Sequence, residues 1–146
     1  MRRGKMTPTI RYLYEDDCDE YIKLIGQLTD IGHVTQSQYV DFIKGQTENN
    51  FTLVLTIGSK VVGCLTILIE QKIAHSFGRV MHIEDVVTDK DFRGRGIATT
   101  LMDEAIRISK EKKCYKVILD CNQNNVNFYK QMGFVQEQFQ MLYRNL

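Results

Sequence analysis

The chain has 146 residues and a mass of 17.0 kDa, which suits one domain and is too short for two ordinary ones. Hydrophobic residues make up 43% of it and charged residues 25%, a composition that excludes collagen-like and broadly disordered chains. Nineteen basic against 18 acidic residues give a net charge of +1, which argues against a nucleic-acid partner. We predict a single domain over residues 1–146, with residues 1–8 as a flexible N-terminal extension.

The hydropathy pattern gives no support for a membrane partner. No apolar run approaches the roughly 20 residues that a bilayer-spanning helix requires. The N-terminus is basic but lacks the apolar stretch of a secretory signal. We therefore expect a cytoplasmic protein.

The four cysteines do not form a recognisable metal or redox pattern. Cys18, Cys64, Cys114 and Cys121 fit neither a zinc-ligand spacing nor a CxxC pair. Cys64 and Cys121 fall inside apolar, strand-like runs, where a reduced thiol behaves as a small hydrophobe. We expect structural thiols rather than catalytic ones, and no metal site.

In the first half of the chain, the periodicity of apolar residues predicts two helices and three strands. Tyr21, Leu24, Ile25 and Leu28 recur at helical spacing. Thr35 and Gln38 form the pattern of a capping box at the start of a second helix. In order, the predicted elements are the strand Thr9–Tyr14, a helix over Asp16–Leu28, the helix opened by Thr35–Gln38, and a hairpin of Phe51–Ile57 and Val61–Glu70.

The second half alternates strands and helices. The predicted elements are the strand Met81–Thr88, the loop Asp89–Arg95, a helix over 96–112, the strand Lys116–Cys121, a short helix Asn124–Met132 ended by Gly133, and two last strands, Phe134–Val135 and Phe139–Arg144. This order predicts a mixed α/β domain.

The segment Phe92–Ala98, between a strand and a long helix, is the most informative motif. Its glycines allow close backbone approach to a ligand, and the free amides of a first helical turn bind pyrophosphate. The Rossmann fingerprint fits poorly because Thr99 occupies its third glycine position, and no Walker A motif is present. From this segment alone, an ordinary loop with an N-terminal glycine remains an alternative.

Two motifs give the chain a resemblance to a known superfamily. Arg93-Gly94-Arg95-Gly96-Ile97-Ala98 fits the R/Q-x-x-G-x-G/A pattern of the GNAT N-acetyltransferases, whose loop binds the pyrophosphate of acetyl-CoA. Asn124–Phe134 is similar to the superfamily's N-x-x-A-x-x-x-Y-x-x-x-G-F segment. The resemblance implies an α/β GNAT fold, a mixed, mostly antiparallel twisted sheet of about six to seven strands flanked by about four helices.

Further stretches resemble one family within it, the glucosamine 6-phosphate N-acetyltransferases. These stretches run from about residue 10 to the end of the chain, and they are Leu24–Gly32, Glu70–His75, His82–Val87, Cys114–Cys121, Asn125–Phe134 and Tyr143-Arg144. The resemblance implies acetyl transfer from acetyl-CoA to the amine of glucosamine 6-phosphate for UDP-N-acetylglucosamine synthesis. It also implies direct attack in a ternary complex, no metal, and a homodimer with shared active sites.

The resemblance implies catalytic roles for Tyr129, Glu84 and Asp120. Tyr129 matches the tyrosine that protonates the leaving thiolate, although its spacing alone favours a core aromatic. The adjacent Glu84 and Asp85 match residues around the sugar and the amine, where solvated strand carboxylates are the alternative. Asp120 matches the residue that orients the amino group, and a water chain remains an alternative base.

The binding residues follow from the same resemblance. The residues expected to bind acetyl-CoA are Val86, Val87, Arg93, Gly94, Arg95, Gly96, Ile97, Ala98, Asn125, Tyr129 and Lys130. Those expected to bind the sugar phosphate are Thr29, Lys72, Ile73, Ala74, His75, Glu84, Asp85, Lys116, Asp120 and Arg144. In the family, the counterparts of Thr29 and Arg144 reach the phosphate across the dimer interface.

Two departures and two alternatives remain. Ala74 stands where a larger aliphatic residue is common, and Ala98 replaces a frequent glycine in an already helical position. Another GNAT enzyme acting on a polyamine, peptide or protein amine is one alternative, although Lys72, Lys116 and Arg144 favour an anionic acceptor. A non-catalytic acyl-CoA sensor is the other.

Overall fold

The computed structural model describes residues 6–145 as one five-stranded sheet with helices on both faces. The strands are β1 Pro8–Tyr12, β2 Asn50–Ile57, β3 Lys60–Gln71, β4 Arg79–Thr88 and β5 Cys114–Ile118. The helices are α1 Cys18–Ile25, α2 Gln36–Lys44, α3 Ala74–Phe77, α4 Ile97–Glu111 and α5 Val126–Gln131. Of the predicted N-terminal extension, residues 1–5 lie outside the described part, and Pro8 already belongs to β1.

The strands are arranged in chain order, β1-β2-β3-β4-β5. Pairing is antiparallel from β1 to β4, and β5 adds to β4 in parallel. This confirms the predicted mixed, mostly antiparallel α/β architecture. The long helix α4 provides the crossover that a parallel pair of strands requires.

Two apolar clusters hold the helices on the sheet. One lies between the sheet and helices α4 and α5, and it includes Leu65, Met81 and Leu101, each fully buried. The other covers the opposite face under α1 and α2, and it includes Leu24 and Tyr39. Burying one such aliphatic side chain stabilises the fold by about 1.5–3 kcal/mol.

The local signals at the start of α2 are confirmed. The Thr35 hydroxyl accepts a hydrogen bond from the Gln38 amide at 3.1 Å, and the Gln38 side-chain oxygen accepts one from the Thr35 amide at 2.9 Å. This reciprocal capping box satisfies two amides that the first helical turn leaves without partners.

The two strands predicted near the C-terminus are wrong. Phe134–Val135 and Phe139–Arg144 are irregular, and residues 6–145 form a sheet of five strands rather than six to seven. A strand requires a partner strand for its backbone groups, and residues 135–145 have none within the described part of the protomer. Four right-handed helices agree with prediction, and the fifth, α3, is a single left-handed turn that the sequence did not predict.

The cysteines are free thiols in the structure. Cys64 is fully buried in β3, as its apolar surroundings predicted. Cys121 is exposed, and it lies three residues beyond Ile118, where β5 ends. The prediction of a strand through Cys121 is therefore wrong over its last three residues.

Within residues 6–145, no helix is long and apolar enough to cross a membrane. The same part of the chain contains no group of three or more His, Cys, Asp or Glu side chains arranged to hold a metal ion.

Candidate active site

A cleft opens where β4 and β5 separate. The two strands pair only from Arg79 to His82 on β4 and from Cys114 to Ile118 on β5. The remaining six residues of β4, 83–88, therefore have no β5 partner, and the opening beside their free edge is called the cleft below. The residues predicted to carry the chemistry lie on the two sides of this opening.

A β-bulge interrupts β4 at the opening. Cys64 of β3 pairs with Val87 and Thr66 pairs with Glu84, so Asp85 and Val86 together oppose a single residue. Asp85 adopts φ 52°, a left-handed conformation that is uncommon for a residue other than glycine. The thiol of Cys64 donates to the Asp85 carbonyl across 3.5 Å. The bulge redirects the backbone of β4 next to the cleft.

Three carboxylates meet at this point of the sheet. Glu84 and Asp85 are exposed on β4, and Asp120 is exposed after β5. Partial burial, followed by the negative charges of Asp85 and Asp120, raises the pKa of Glu84. A carboxylate with a raised pKa beside other acids is suited to accept a proton from a substrate amine.

Tyr129 lies on α5, on the other side of the cleft, and is 8% exposed. Its ring packs edge-on against Phe128 and Phe134, with centroids at 4.9 and 5.8 Å. Burial, followed by the nearby Cys121 thiol, raises the pKa of Tyr129 above its ordinary value near 10. The phenol therefore stays protonated at neutral pH. The aromatic packing fits the alternative prediction of Tyr129 as a core residue, and its role as an acid stays a prediction.

The segment between β4 and α4 forms an open loop ahead of a helix N-terminus. Gly94 and Gly96 have φ values of 76° and 75°, and a Cβ on either one would meet no atom within 4 Å. Gly96 is the N-cap of α4 and provides no side chain to bond the first amides of the helix. These amides, with the positive end of the dipole of a 15-residue helix, can therefore bind an anionic ligand.

The arginines of this loop are exposed around the helix end. Arg95 lies over the Phe92 ring at 4.8 Å, and the Arg93 Nε lies 3.5 Å from the Thr88 carbonyl. At the same place, the Gln27 side chain of the segment after α1 accepts a hydrogen bond from the Lys90 amide at 2.8 Å. The end of α1 is thus attached to the beginning of the loop.

An ionic cluster surrounds Lys72, directly after β3. Its ammonium lies 2.7 Å from Glu70, whose second carboxylate oxygen lies 2.9 Å from His82. Hydrogen bonds from Lys72 and then His82 lower the pKa of Glu70, and the bond with Glu70 raises the pKa of Lys72. A cavity of about 560 Å³ lies beside this cluster, and Glu84 is one of the residues that line it. Glu84 therefore connects the cavity to the three carboxylates of the cleft.

His75 and Lys116 are brought together through one tyrosine. The His75 ring stacks on Tyr115 with centroids 4.1 Å apart, and the Lys116 ammonium lies 5.8 Å from the centre of the same ring. Ile73 and Ala74 are exposed in the same β3–β4 connection. Lys72, His75 and Lys116 therefore belong to one end of the β3–β4–β5 region.

Two predicted substrate residues lie on other segments. Thr29 follows α1, where its amide bonds the Ile25 carbonyl. Arg144 lies in the irregular C-terminal segment. Of the remaining predicted ligands of acetyl-CoA, Val86 is half-buried in the bulge of β4, whereas the Val87 side chain is buried in the apolar cluster under α1 and α2. Ile97 and Ala98 form the start of α4, and Asn125 and Lys130 lie at the beginning and near the end of α5.

Several residues that shape the site had no role predicted from the sequence. Glu70, Gln71 and His82 fall within stretches that carried the family resemblance, yet only their neighbours were given roles. Gly63 and Cys64 were read as parts of an apolar strand. Their contacts cross the sheet or its connections, and no local spacing pattern reveals such contacts.

Comparisons with known proteins agree with this geometry. Residues 10–134 match the family model described as the acetyltransferase (GNAT) family. A glucosamine 6-phosphate N-acetyltransferase from Dictyostelium discoideum is 31% identical over 139 residues, covering 91% of this chain and 88% of that protein. The crystal structure of glucosamine-6-phosphate N-acetyltransferase from Arabidopsis thaliana superposes with a TM-score of 0.88 and 32% identity, covering 94% of this chain and 98% of that one. An acetyltransferase structure from Trypanosoma brucei superposes with a TM-score of 0.90 and 30% identity, covering 95% of this chain and 100% of that one.

Proposed function

Because the chain belongs to the acetyltransferase (GNAT) family, we propose that it transfers the acetyl group of acetyl-CoA to the amine of glucosamine 6-phosphate. The observation that carries this proposal is the likeness to glucosamine 6-phosphate N-acetyltransferases over nearly the full length of both chains. The product is N-acetylglucosamine 6-phosphate, a precursor for UDP-N-acetylglucosamine synthesis in the cytoplasm. The reaction is a direct attack of the amine within a ternary complex.

The loop at the start of α4 suits the pyrophosphate of acetyl-CoA. Gly94 and Gly96 leave open space around the uncapped first turn of α4, and Arg93 and Arg95 add positive charge. The pantetheine arm lies along Val86 and Val87 at the free edge of β4, as an added strand would. When bound, acetyl-CoA supplies the activated acyl group as a thioester.

The residues on the two sides of the cleft divide the proton chemistry between them. The Val86 amide beside the bulge polarises the thioester carbonyl, because the missing β5 partner leaves this edge of β4 open. Tyr129 stays protonated and gives its proton to the leaving thiolate. Glu84 takes up a proton from the acceptor amine, either directly or through a water chain, and Asp120 orients that amine.

The acceptor phosphate calls for cationic and hydroxyl partners. Lys72, His75 and Lys116 supply positive or hydrogen-bonding groups from one end of the sheet. Thr29 and Arg144 lie on other segments, which agrees with a site completed by a second copy of the chain. A polyamine or basic peptide would instead favour a cleft without these cations.

The proposed assembly is a homodimer with shared active sites. Phe139, Met141 and Tyr143 are 88%, 91% and 88% exposed, which is an unusual amount of apolar surface for one short segment. A partner copy that covers this segment would bury these side chains. Arg144, next in sequence to Tyr143, would then be carried to the partner's acceptor site.

Identification of the product tests this proposal. The purified protein is incubated with acetyl-CoA carrying a ¹³C-labelled acetyl carbonyl and with ¹⁵N-labelled glucosamine 6-phosphate, and the product is analysed by NMR. We expect a new acetamide signal coupled to the nitrogen on C2 of the sugar. An O-acetyl product, or no sugar product at all, would contradict the proposal.

A further inference from the structure

The connection between β3 and β4 contains an unusual run of backbone conformations. His75, Ser76 and Phe77 have φ values of 53°, 57° and 61°, all in the left-handed region. Residues other than glycine rarely enter this region, and then as single residues, because their Cβ atom crowds the backbone. Three consecutive ones persist only where the surrounding contacts fix them.

Most of the side-chain contacts that fix the turn come from Gln71, the last residue of β3. Its side-chain nitrogen lies 2.9 Å from the Phe77 carbonyl, 3.1 Å from the Gly78 carbonyl and 3.2 Å from the Lys72 carbonyl. The two amide protons of Gln71 are thus shared among the carbonyls at both ends of the turn. The Arg79 guanidinium donates to the Gln71 side-chain oxygen at 3.2 Å, which sets the orientation of the amide.

The aromatic ring of Tyr115 closes the other side of the turn. It stacks on His75 at an interplanar angle of 25°. A Cβ on Gly78 would lie 2.6 Å from the Cδ1 atom of Tyr115, so only glycine fits between the end of the turn and the ring. Gln71 therefore holds the turn through its backbone carbonyls, and Tyr115 holds it through the ring of His75.

We propose that Gln71 is a positioning residue, which holds the left-handed turn 73–78 and thereby places Lys72 and His75 to bind the anionic group of the acceptor. The role of Lys72 and His75 in this statement rests on the proposed function. Gln71 itself contacts the turn and not the acceptor. Its loss therefore alters acceptor binding while leaving the proposed acetyl-CoA loop, which follows the opposite end of β4, unchanged.

The variant Gln71→Met tests this role, because methionine keeps the length of the side chain and removes both donors. We expect the KM for glucosamine 6-phosphate to rise about tenfold, since two or more hydrogen bonds to the turn are lost. The KM for acetyl-CoA should stay within about twofold of the parent value. Gln36→Met, an exposed glutamine on α2, is the matched control and should change neither constant.

A second substitution separates conformational control from a general loss of structure. Ser76→Gly, added to Gln71→Met, removes the cost of the left-handed conformation at an exposed position. We expect it to restore most of the acceptor affinity that Gln71→Met loses. Failure of this rescue, or an acceptor KM that Gln71→Met leaves unchanged, would overturn the proposal.

A readout that does not depend on the acceptor distinguishes failure of this proposal from failure of the proposed function. Because the Tyr115 ring stacks on His75 with centroids 4.1 Å apart, we expect its ring current to shift the NMR signals of the His75 ring protons. We expect Gln71→Met to move these signals toward those of an unstacked histidine, and Ser76→Gly to move them back. Unchanged His75 signals would overturn the role of Gln71, even if the wild type acetylates an acceptor other than glucosamine 6-phosphate.

Discussion

At the scale of single residues, Tyr129 combines a packing role with a proposed chemical one. Its ring is packed by Phe128 and Phe134, whereas its hydroxyl is close enough to the Cys121 thiol for that thiol to help raise its pKa. The ring contacts and the phenolic proton can be separated experimentally, because phenylalanine keeps the first and removes the second.

Tyr129→Phe is expected to lower kcat by about a hundredfold to ten-thousandfold, the usual contribution of a positioned general acid. The KM for acetyl-CoA should change little, since the packing of the ring is retained. Stopped-flow and steady-state measurements of thiol release with saturating acceptor check both values. Tyr12→Phe, which removes an exposed hydroxyl on β1, is the control. A Tyr129→Phe enzyme with unchanged kcat would remove Tyr129 from the acid role.

Glu84 allows a prediction about pH and stability. Its pKa is raised in the folded state, so the folded protein binds this proton more tightly than the unfolded chain does. Stability from this group is therefore complete below the unfolded pKa, near 4.3, and decreases as pH rises through the folded pKa. Glu84→Gln should be slightly more stable than the wild type at pH 7, by under about 1 kcal/mol for an exposed group, and much less active.

Thermal unfolding of both proteins from pH 3.5 to 8 measures this effect. The difference in Tm should disappear at the acidic end, where both side chains are neutral. A Glu84→Gln protein that is less stable at pH 7 and equally active would contradict both the environment and the role assigned to Glu84.

At the scale of elements, regular helices and strands were predictable, whereas contacts across the sheet were not. The capping box of α2 and the apolar face of α4 are local patterns, and both were confirmed. The left-handed turn is fixed by Gln71 and Tyr115 from outside the segment, so its sequence gives no sign of it. The two terminal strands failed for the opposite reason: a local apolar pattern is present, but residues 6–145 provide no partner strand for it.

Candidate site residues were predictable to the extent that they sit in motifs. The loop from Arg93 to Ala98 lies at the start of a helix as predicted. The charge of Asp120 helps to raise the pKa of Glu84, and the roles of both residues toward the acceptor stay predictions. The bulge at Asp85 and the Cys64 contact depend on the register between two strands, which one sequence does not reveal.

Gly63 lies on β3 where the strand packs against the first turns of α4, and this packing gives a prediction at the scale of elements. A Cβ at this position would lie 2.6 Å from Ile97 Cγ2 and 3.1 Å from Leu101 Cδ1. Gly63→Ala should push the first turns of α4 away from the sheet, which costs about 1–3 kcal/mol of stability. The KM for acetyl-CoA should rise, because the displaced turns follow directly on the loop that we propose to bind it.

Denaturant unfolding and acetyl-CoA titration measure these two effects. Gly45→Ala is the control, since the added Cβ meets only contacts of 3.4 Å or longer at a negative φ. If Gly63→Ala retained both stability and acetyl-CoA affinity, the packing of α4 against β3 would not position the loop.

At the scale of the whole molecule, the exposed apolar segment after α5 is the feature that a lone protomer does not explain. Ionic and hydroxyl groups predicted to bind the same phosphate are divided between one end of the sheet, the segment after α1 and this C-terminal segment. A dimer that buries Phe139 and Met141 accounts for both observations.

Phe139→Asp should convert a dimeric wild type into monomers, because it places a charge in the surface that the partner covers. Turnover of glucosamine 6-phosphate should fall together with dimer content. Light scattering after size exclusion, with activity measured on the same fractions, checks both. Met6→Asp adds the same charge at an exposed apolar residue outside this segment and is the control. A monomeric wild type with full activity would contradict the shared site.

Acetyl transfer to glucosamine 6-phosphate is tested by measuring thiol release from acetyl-CoA with three amines in parallel: glucosamine 6-phosphate, glucosamine and spermidine. We expect rapid thiol release with the phosphorylated sugar and at most slow release with the other two amines. Equal rates with glucosamine would remove the phosphate site, and release with spermidine alone would replace the acceptor. Binding of acetyl-CoA without release for any amine would contradict the catalytic account and favour an acyl-CoA sensor.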